Sequence, residues 1–242
     1  MSERRRLDLE LEARGLLPSR ARARDAVLRG TVKVNGIPAR KPNQPVGAAD
    51  RIELDDPAAG YVSRAALKLI AGLDAEKITV EGRTCLDLGA STGGFTQVLL
   101  ERGAARVYAV DVSPAALAVP RRNAEAQSVA DPIEFLQGDL LLPLVERDVQ
   151  PDIVMANLPY IAADELATLA VSRYEPRLAI DGGPDGLGLI RRLFEQLRGR
   201  SRPGMVVLLE IGAGQGEAVL SMAAVLLPLA SATVFDDYAW LD

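Results

Sequence analysis

Apolar positions along this chain fall into two regimes. Up to residue 54 they are sparse, and Leu7 and Leu11, then Ala23, Val27 and Leu28, recur at helical spacing. Gly15 ends the first of these stretches and Ser19 is placed to cap the second, so two short helices are predicted. In TVKVNGIPARKP, Val32 and Val34 alternate with Lys33, and Asn35-Gly36 is the dipeptide of a tight hairpin turn. RIEL, 51–54, reads as one further short strand.

The second regime is denser. YVSRAALKLIAGL sets Ala66, Leu69, Ile70 and Leu73 on one helical face and leaves Lys68 off it, which on spacing alone reads as an exposed helix lysine. TCLDLGASTGGFTQVLLERG is a strand-like run, a small-residue loop and an amphipathic helix. VYAVDVS, IEFLQGDL, PDIVMANLPY and VVLLEIG follow as strands, with ALAVPRRNAEA as a helix after the first of them. Strands alternating with helices predict an α/β fold with a doubly wound, mostly parallel sheet, which binds ligands beyond the carboxyl ends of its strands. DDPAAG has the composition of a boundary, so the expected division is a domain over 1–55, a linker over 56–60 and a second domain over 61–242.

Charge reinforces that division. Residues 1–60 carry 12 Lys and Arg against 9 Asp and Glu, whereas 61–242 carry 16 against 24. Arg20, Arg22, Arg24, Lys33, Arg40 and Lys41 stand in a stretch with a single acid, Asp25, between 13 and 49. A basic module joined to an acidic, larger one suits a polyanion-binding appendage on a catalytic domain. The chain contains no histidine, which makes Ser-His hydrolysis and zinc chemistry poor candidates, and no metal is expected. Its one cysteine, Cys85, has no internal disulfide partner and sits in an apolar run. The longest apolar runs, VVLLEI and VLLPLA, are far shorter than a membrane span, and MSERRRLDLE has no apolar stretch behind its charges. A cytoplasmic protein without a membrane partner is expected.

RLDLELEARGLLPSRARARDAVLRGTVKVNG, then KPNQPV and DRIEL, resemble the S-four-type RNA-binding domain, a small α+β module, over nearly all of residues 5–54. The resemblance implies RNA contacts from Arg20, Arg22, Arg24, Lys33, Arg40 and Lys41. DLGASTGGF lacks the GxGxxG order of a nicotinamide-dinucleotide loop and resembles the S-adenosylmethionine site of class I, Rossmann-like methyltransferases. By that resemblance Asp87 and Gly89 flank the methionine part of the cofactor, with Ser91, Gly93, Gly94 and Phe95 in the same loop. Asp111, with Val112 beside it, holds the ribose. Asp139, followed by Leu140, faces the adenine amino group, and Asn157 closes the set.

From Tyr61 to Val112 the wording, YVSRAALKL, CLDLGASTGGFT and RGAARVYAVDV, resembles the TlyA family of ribosomal RNA methyltransferases, in which Lys68 would be a catalytic lysine. From Ser113 to the end, SPAALAVPRRNAEA, FLQGDLLLPL, NLPYI, YEPRLAIDGGPDGLGLIRRL and LLEIGAGQGEAV resemble the HemK/PrmC family, which methylates a glutamine side-chain amide in peptide-chain release factors. The two patterns disagree on chemistry. Ribose methylation in TlyA and FtsJ proteins recruits a Lys-Asp-Lys-Glu set, and here only Lys68 of that set is present: Asn157 stands for the aspartate and Glu210 for the second lysine. NLPY, by resemblance to NPPY, makes Asn157, Leu158, Pro159 and Tyr160 the catalytic candidates for a planar NH2 group. The Asn157 and Leu158 oxygens would accept its hydrogens, and Tyr160 would stack on its plane.

The leading expectation is therefore an S-adenosylmethionine-dependent methyltransferase whose partner is ribosomal RNA or a ribosomal subunit. The alternatives are a release factor glutamine methyltransferase, with a peptide chain release factor as partner, and a catalytically silent RNA-binding protein. SATVFDD reads as the penultimate strand of the sheet with only YAWLD after it, so the final antiparallel strand is expected to be missing and the chain to be marginal as a monomer.

Overall fold

The structure is a computed structural model that describes residues 4–127, 129–169 and 175–235. The described residues form two compact units that divide between Tyr61 and Val62.

In the first unit, β1 (Arg5–Arg6) leads into α1 (Leu7–Ala13), followed by α2 (Arg20–Leu28), β2 (Val32–Val34), β3 (Ile37–Pro38), β4 (Pro45–Val46) and β5 (Ile52–Leu54). Gly15 follows α1 with φ +67°, and the Ser19 hydroxyl accepts the amide of Arg22, so both helix boundaries lie where the sequence places them. Asn35 and Gly36 have φ values of +52° and +79°, the double left-handed turn that lets β2 and β3 pair antiparallel. β5 pairs with the other edge of β2. Leu7, Leu11, Ala23, Ala26, Val27, Val32 and Val34 interlock beneath this sheet as the unit's core.

The stretch expected to be a linker is part of this unit. Asp56 is buried and takes both guanidinium nitrogens of Arg29, at 3.0 and 2.7 Å, while Ala58 is fully buried. Arg22 donates to the carbonyls of Ala58 (2.7 Å) and Tyr61 (2.8 Å). Residues 56–61 are thus folded onto α2 by two arginines whose spacing gave no hint of that duty.

The second unit runs α3 (Ala65–Ala75), β6 (Thr84–Leu88), α4 (Gly94–Glu101), β7 (Arg106–Asp111), α5 (Pro114–Ala126), β8 (Ile133–Gln137), α6 (Leu142–Val145), β9 (Ile153–Asn157), α7 (Arg177–Ile180), α8 (Gly188–Leu197), β10 (Val206–Glu210) and α9 (Gly216–Leu226). Its five strands are all parallel, in the order β10-β9-β6-β7-β8. Alternation sends Leu86, Leu88, Val110, Leu136, Val154 and Ala156 to one face, against Ile190, Leu193, Phe194 and Leu197 of α8 and Val219 and Ala223 of α9. On the other face Ala109, Ile133 and Phe135 meet Leu100 of α4 and Ala124 of α5. Helices on both faces make the sheet doubly wound, and the strand order reverses between β6 and β9.

The chain end departs from expectation. Ser231–Phe235, the described part of SATVFDD, forms no strand, and its last two residues, with YAWLD, lie outside the described residues. Among the described residues β10 is therefore an edge strand, and all five of its residues are only half-buried. The physical reason lies in burial: Val234 and Phe235 are about half exposed and have no sheet face to cover.

Besides Asp56, the first unit holds a further buried carboxylate whose charge matters to stability. Asp8 is fully buried in the first turn of α1 and binds Arg6 at 2.9 and 2.8 Å and Arg20 at 3.1 Å. The Arg6 guanidinium, against the opposing effect of burial, holds its pKa down at about 2. The folded value lies below the unfolded one, so the stabilisation is present above about pH 4 and is lost as the pH falls toward 2. Asp8→Asn is expected to cost roughly 1–2 kcal/mol at neutral pH, with a difference from wild type that shrinks steadily below about pH 4 in denaturant titrations.

Candidate active site

The register of the sheet brings the polar strand ends together. Asp87 pairs with Ala109 and Met155, Asp111 with Gln137, and Glu210 with Asn157. Partners in a parallel ladder point to the same side, and positions two apart share a face. Asp87, Asp111, Asn157 and Glu210 therefore all lie on the α4-α5 face, at or near the carboxyl ends of their strands. Gly89 follows β6, and a Cβ on it would lie 3.3 Å from the Asn157 carbonyl oxygen, so the β6 and β9 loops touch at the point where the strand order reverses.

Asp87 organises the glycine loop. Its Oδ2 accepts the Thr96 amide (3.0 Å) and the Thr96 hydroxyl (2.6 Å) in the first turn of α4, which carries no side-chain cap of its own. Burial pushes its pKa up to about 6 against the pull of those Thr96 bonds, with Asp111 adding to the rise. Its role is to hold the loop Ser91-Thr92-Gly93 at the helix start. Gly93 and Gly94 are buried, Phe95 packs into the core, and Ser91 is exposed with φ +47°.

Asp111 is half-exposed, and its Oδ1 accepts the Ser113 amide at 2.9 Å, which leaves Oδ2 open among the described residues. Val112 beside it is exposed. Asp139 sits in the turn after β8 and is held by α8: Arg192 and, at 3.4 Å, Gln196 both reach its Oδ2, and among the described residues Oδ1 is left open. Leu140 next to it is buried with φ +51°. The Arg192 clamp is a feature sequence reasoning missed, because α8 lies more than fifty residues downstream.

The NLPY loop is anchored from two segments. A Cβ on Gly182 would stand 2.8 Å from the Pro159 carbonyl oxygen, and one on Gly186, whose φ is +71°, would collide with that of Tyr160. Ile161 bridges to Asp181, and the Gly182 amide donates to the Ile161 carbonyl at 2.8 Å. Gln215 donates to the Tyr160 carbonyl (3.0 Å) and accepts the Gly212 amide (2.8 Å), and the Tyr160 ring lies against Gly212. Glycine density in DGGPDGLG and GAGQGE was the available signal for these supporting residues. Asn157 and Tyr160 are half-buried and Leu158 is buried.

Lys68 does not stand apart from this group. It projects from α3, and its Nζ lies 2.6 Å from Glu210 Oε1. The side chain that spacing placed on an open helix face thus reaches the end of β10.

The pattern of the FtsJ-like methyltransferase family matches residues 61–222. The chain belongs to the FtsJ-like methyltransferases. Residues 5–52 match the S4 domain. A release factor glutamine methyltransferase of Moorella thermoacetica is 43% identical over 166 residues, 67% of this chain and 57% of that protein. The 16S/23S rRNA (cytidine-2'-O)-methyltransferase TlyA of Mycobacterium tuberculosis is 37% identical over 210 residues, 86% of this chain and 74% of that one. A solved structure of a ribosomal protein L11 methylase from Lactobacillus delbrueckii subsp. bulgaricus aligns at 20% identity over 71% of this chain and 72% of that one, with a TM-score of 0.48.

This FtsJ-like methyltransferase uses S-adenosylmethionine, and its residues fit that group. The oxygens of Asp111 and Asp139 that are open among the described residues could serve as acceptors for ribose and adenine donors, and the exposed Gly89 backbone lies beside the Asn157 carbonyl. No helix among the described residues is long and apolar enough to cross a membrane.

The raised value of Asp87 has a measurable consequence. Its folded pKa exceeds the unfolded one, so folding disfavours the ionised form and stability falls as pH rises from about 4 through 6. Asp87→Asn keeps an oxygen for Thr96 and is expected to remove that decline, about 2–3 kcal/mol, in denaturation curves taken across the same pH range.

Proposed function

We propose that this methyltransferase acts on ribosomal RNA and transfers the methyl group to a planar NH2 nitrogen of a base. The observation that carries the RNA assignment is the basic S4 domain in the same chain as the methyltransferase unit, together with similarity to TlyA over 86% of this chain. Arg24, Lys33, Arg40 and Lys41 are exposed and suited to phosphate contacts. Arg20 is tied to Asp8, and Arg22 is half-buried with its guanidinium committed to the Ala58 and Tyr61 carbonyls, so Arg22 is reassigned from RNA contact to structure.

Support for nitrogen comes from the site. A hydroxyl nucleophile needs a base, and the positions that would help supply one carry the neutral Asn157 and a lysine bound to Glu210. Asn157 Oδ1 can accept an NH2 hydrogen, with the Leu158 carbonyl beside it, which turns the nitrogen lone pair away from the loop. Pro159 and the Gln215 contact fix the loop, and the Tyr160 ring bounds the plane. Bound S-adenosylmethionine supplies an electrophilic methyl group. A second reading, a glutamine amide of a release factor, is favoured by the NLPY loop and by the 43% identity to the Moorella enzyme.

Incubation with methyl-labelled S-adenosylmethionine and ribosomal subunits, naked ribosomal RNA or release factor, each followed by nuclease or protease, is expected to give nuclease-sensitive label, recovered as a base-methylated nucleoside. Protease-sensitive label on release factor would transfer the assignment to the second reading. Asn157→Ala is expected to lower kcat by about a hundredfold with little change in cofactor affinity. Alanine at Arg24, Lys33, Arg40 and Lys41 is expected to weaken RNA binding and to flatten its salt dependence by about one unit of log-log slope for each phosphate no longer neutralised, measured by filter binding. Arg22→Ala should lower the melting temperature instead.

A further inference from the structure

We propose that Glu210 is a substrate-binding carboxylate that accepts one hydrogen of the acceptor NH2 group, and that Lys68 is its positioning residue. The inference rests on the planar-nitrogen reading above and names the selectivity device within it. Glu210 is largely buried, with a side chain 12% exposed, whereas the Lys68 side chain is 40% exposed. Lys68 Nζ occupies Oε1 at 2.6 Å, and among the described residues Oε2 is buried without a hydrogen-bond partner. Buried carboxylate oxygens are almost always paired, so an orphaned one inside a reaction site marks the place of a donor that arrives with the substrate.

Geometry says which donor. Glu210 and Asn157 are partners across the β9-β10 ladder, so their side chains leave the sheet on the same face from neighbouring strands about 4.8 Å apart. Two acceptors side by side, Asn157 Oδ1 and Glu210 Oε2, match the two hydrogens of a planar NH2. A hydroxyl has one hydrogen and would leave one of the two oxygens unpaired in a buried site, so the pair discriminates against it. The Lys68 ammonium offsets the carboxylate charge and fixes its rotamer from α3, so that Oε2 rather than Oε1 faces the acceptor.

The test compares wild type with Glu210→Gln, Lys68→Ala, Lys68→Arg and the double variant Lys68→Ala/Glu210→Gln, on ribosomal RNA. The expected result is base-methylated nucleoside from wild type and at least a tenfold loss in kcat/KM for Glu210→Gln. Affinity for RNA in the presence of S-adenosylhomocysteine should weaken in parallel, while affinity for S-adenosylhomocysteine alone, by calorimetry, and the melting temperature stay near wild type. Lys68→Ala should show a smaller loss that Lys68→Arg largely restores, and the double variant should be no worse than Glu210→Gln. Base methylation by wild type with Glu210→Gln equally active and equally tight on RNA overturns this proposal and leaves the planar-nitrogen reading intact. A wild-type product methylated only on ribose oxygen overturns both, and the wild-type nucleoside analysis alone identifies that case.

Discussion

Everything in the catalytic unit depends on one constraint, the in-register pairing of five parallel strands. In a parallel ladder a slip of one residue would move every side chain to the opposite face. Leu86, Leu88, Val154 and Ala156 cannot make that move, because they are buried against α8 and α9. Apolar packing on one face therefore locks the polar strand ends on the other. Asp87, Asp111, Asn157 and Glu210 converge as a by-product of a core in which none of them takes part.

That convergence holds a charge arrangement with two kinds of carboxylate. Asp87 is sealed within the protein and commits an oxygen to the start of α4, so its burial supports the shape of the glycine loop. Glu210 has one oxygen on Lys68 and the other, among the described residues, buried without a partner, which is the basis of the substrate-binding role proposed for it. Asp111 and Asp139 lie between these extremes, each with one oxygen engaged and, among the described residues, one left. The same chemical group does three jobs, and the neighbours of each copy decide which.

The two halves of the sequence pattern, lysine-bearing before Val112 and NLPY-bearing after Ser113, meet in the contact between Lys68 and Glu210. There the lysine faces Glu210, and the ion pair neutralises the local charge within the protein. The chain is similar to both kinds of relative, and this ion pair ties the two stretches together.

The sequence by itself determined the alternation of strands and helices, the Asn35-Gly36 hairpin, the Ser19 cap and the set of acids at the strand ends, because these follow from local periodicity and from turn chemistry within a few residues. It also placed NLPY at the end of a buried strand. Only the tertiary structure decided which side chains are available. Arg22 reads as one more base on a basic helix until its carbonyl partners, more than thirty residues away, are seen. Lys68 reads as solvent-facing until a strand end 142 residues later comes within 2.6 Å. Side-chain commitments of this kind depend on contacts between distant elements, and no local pattern encodes them.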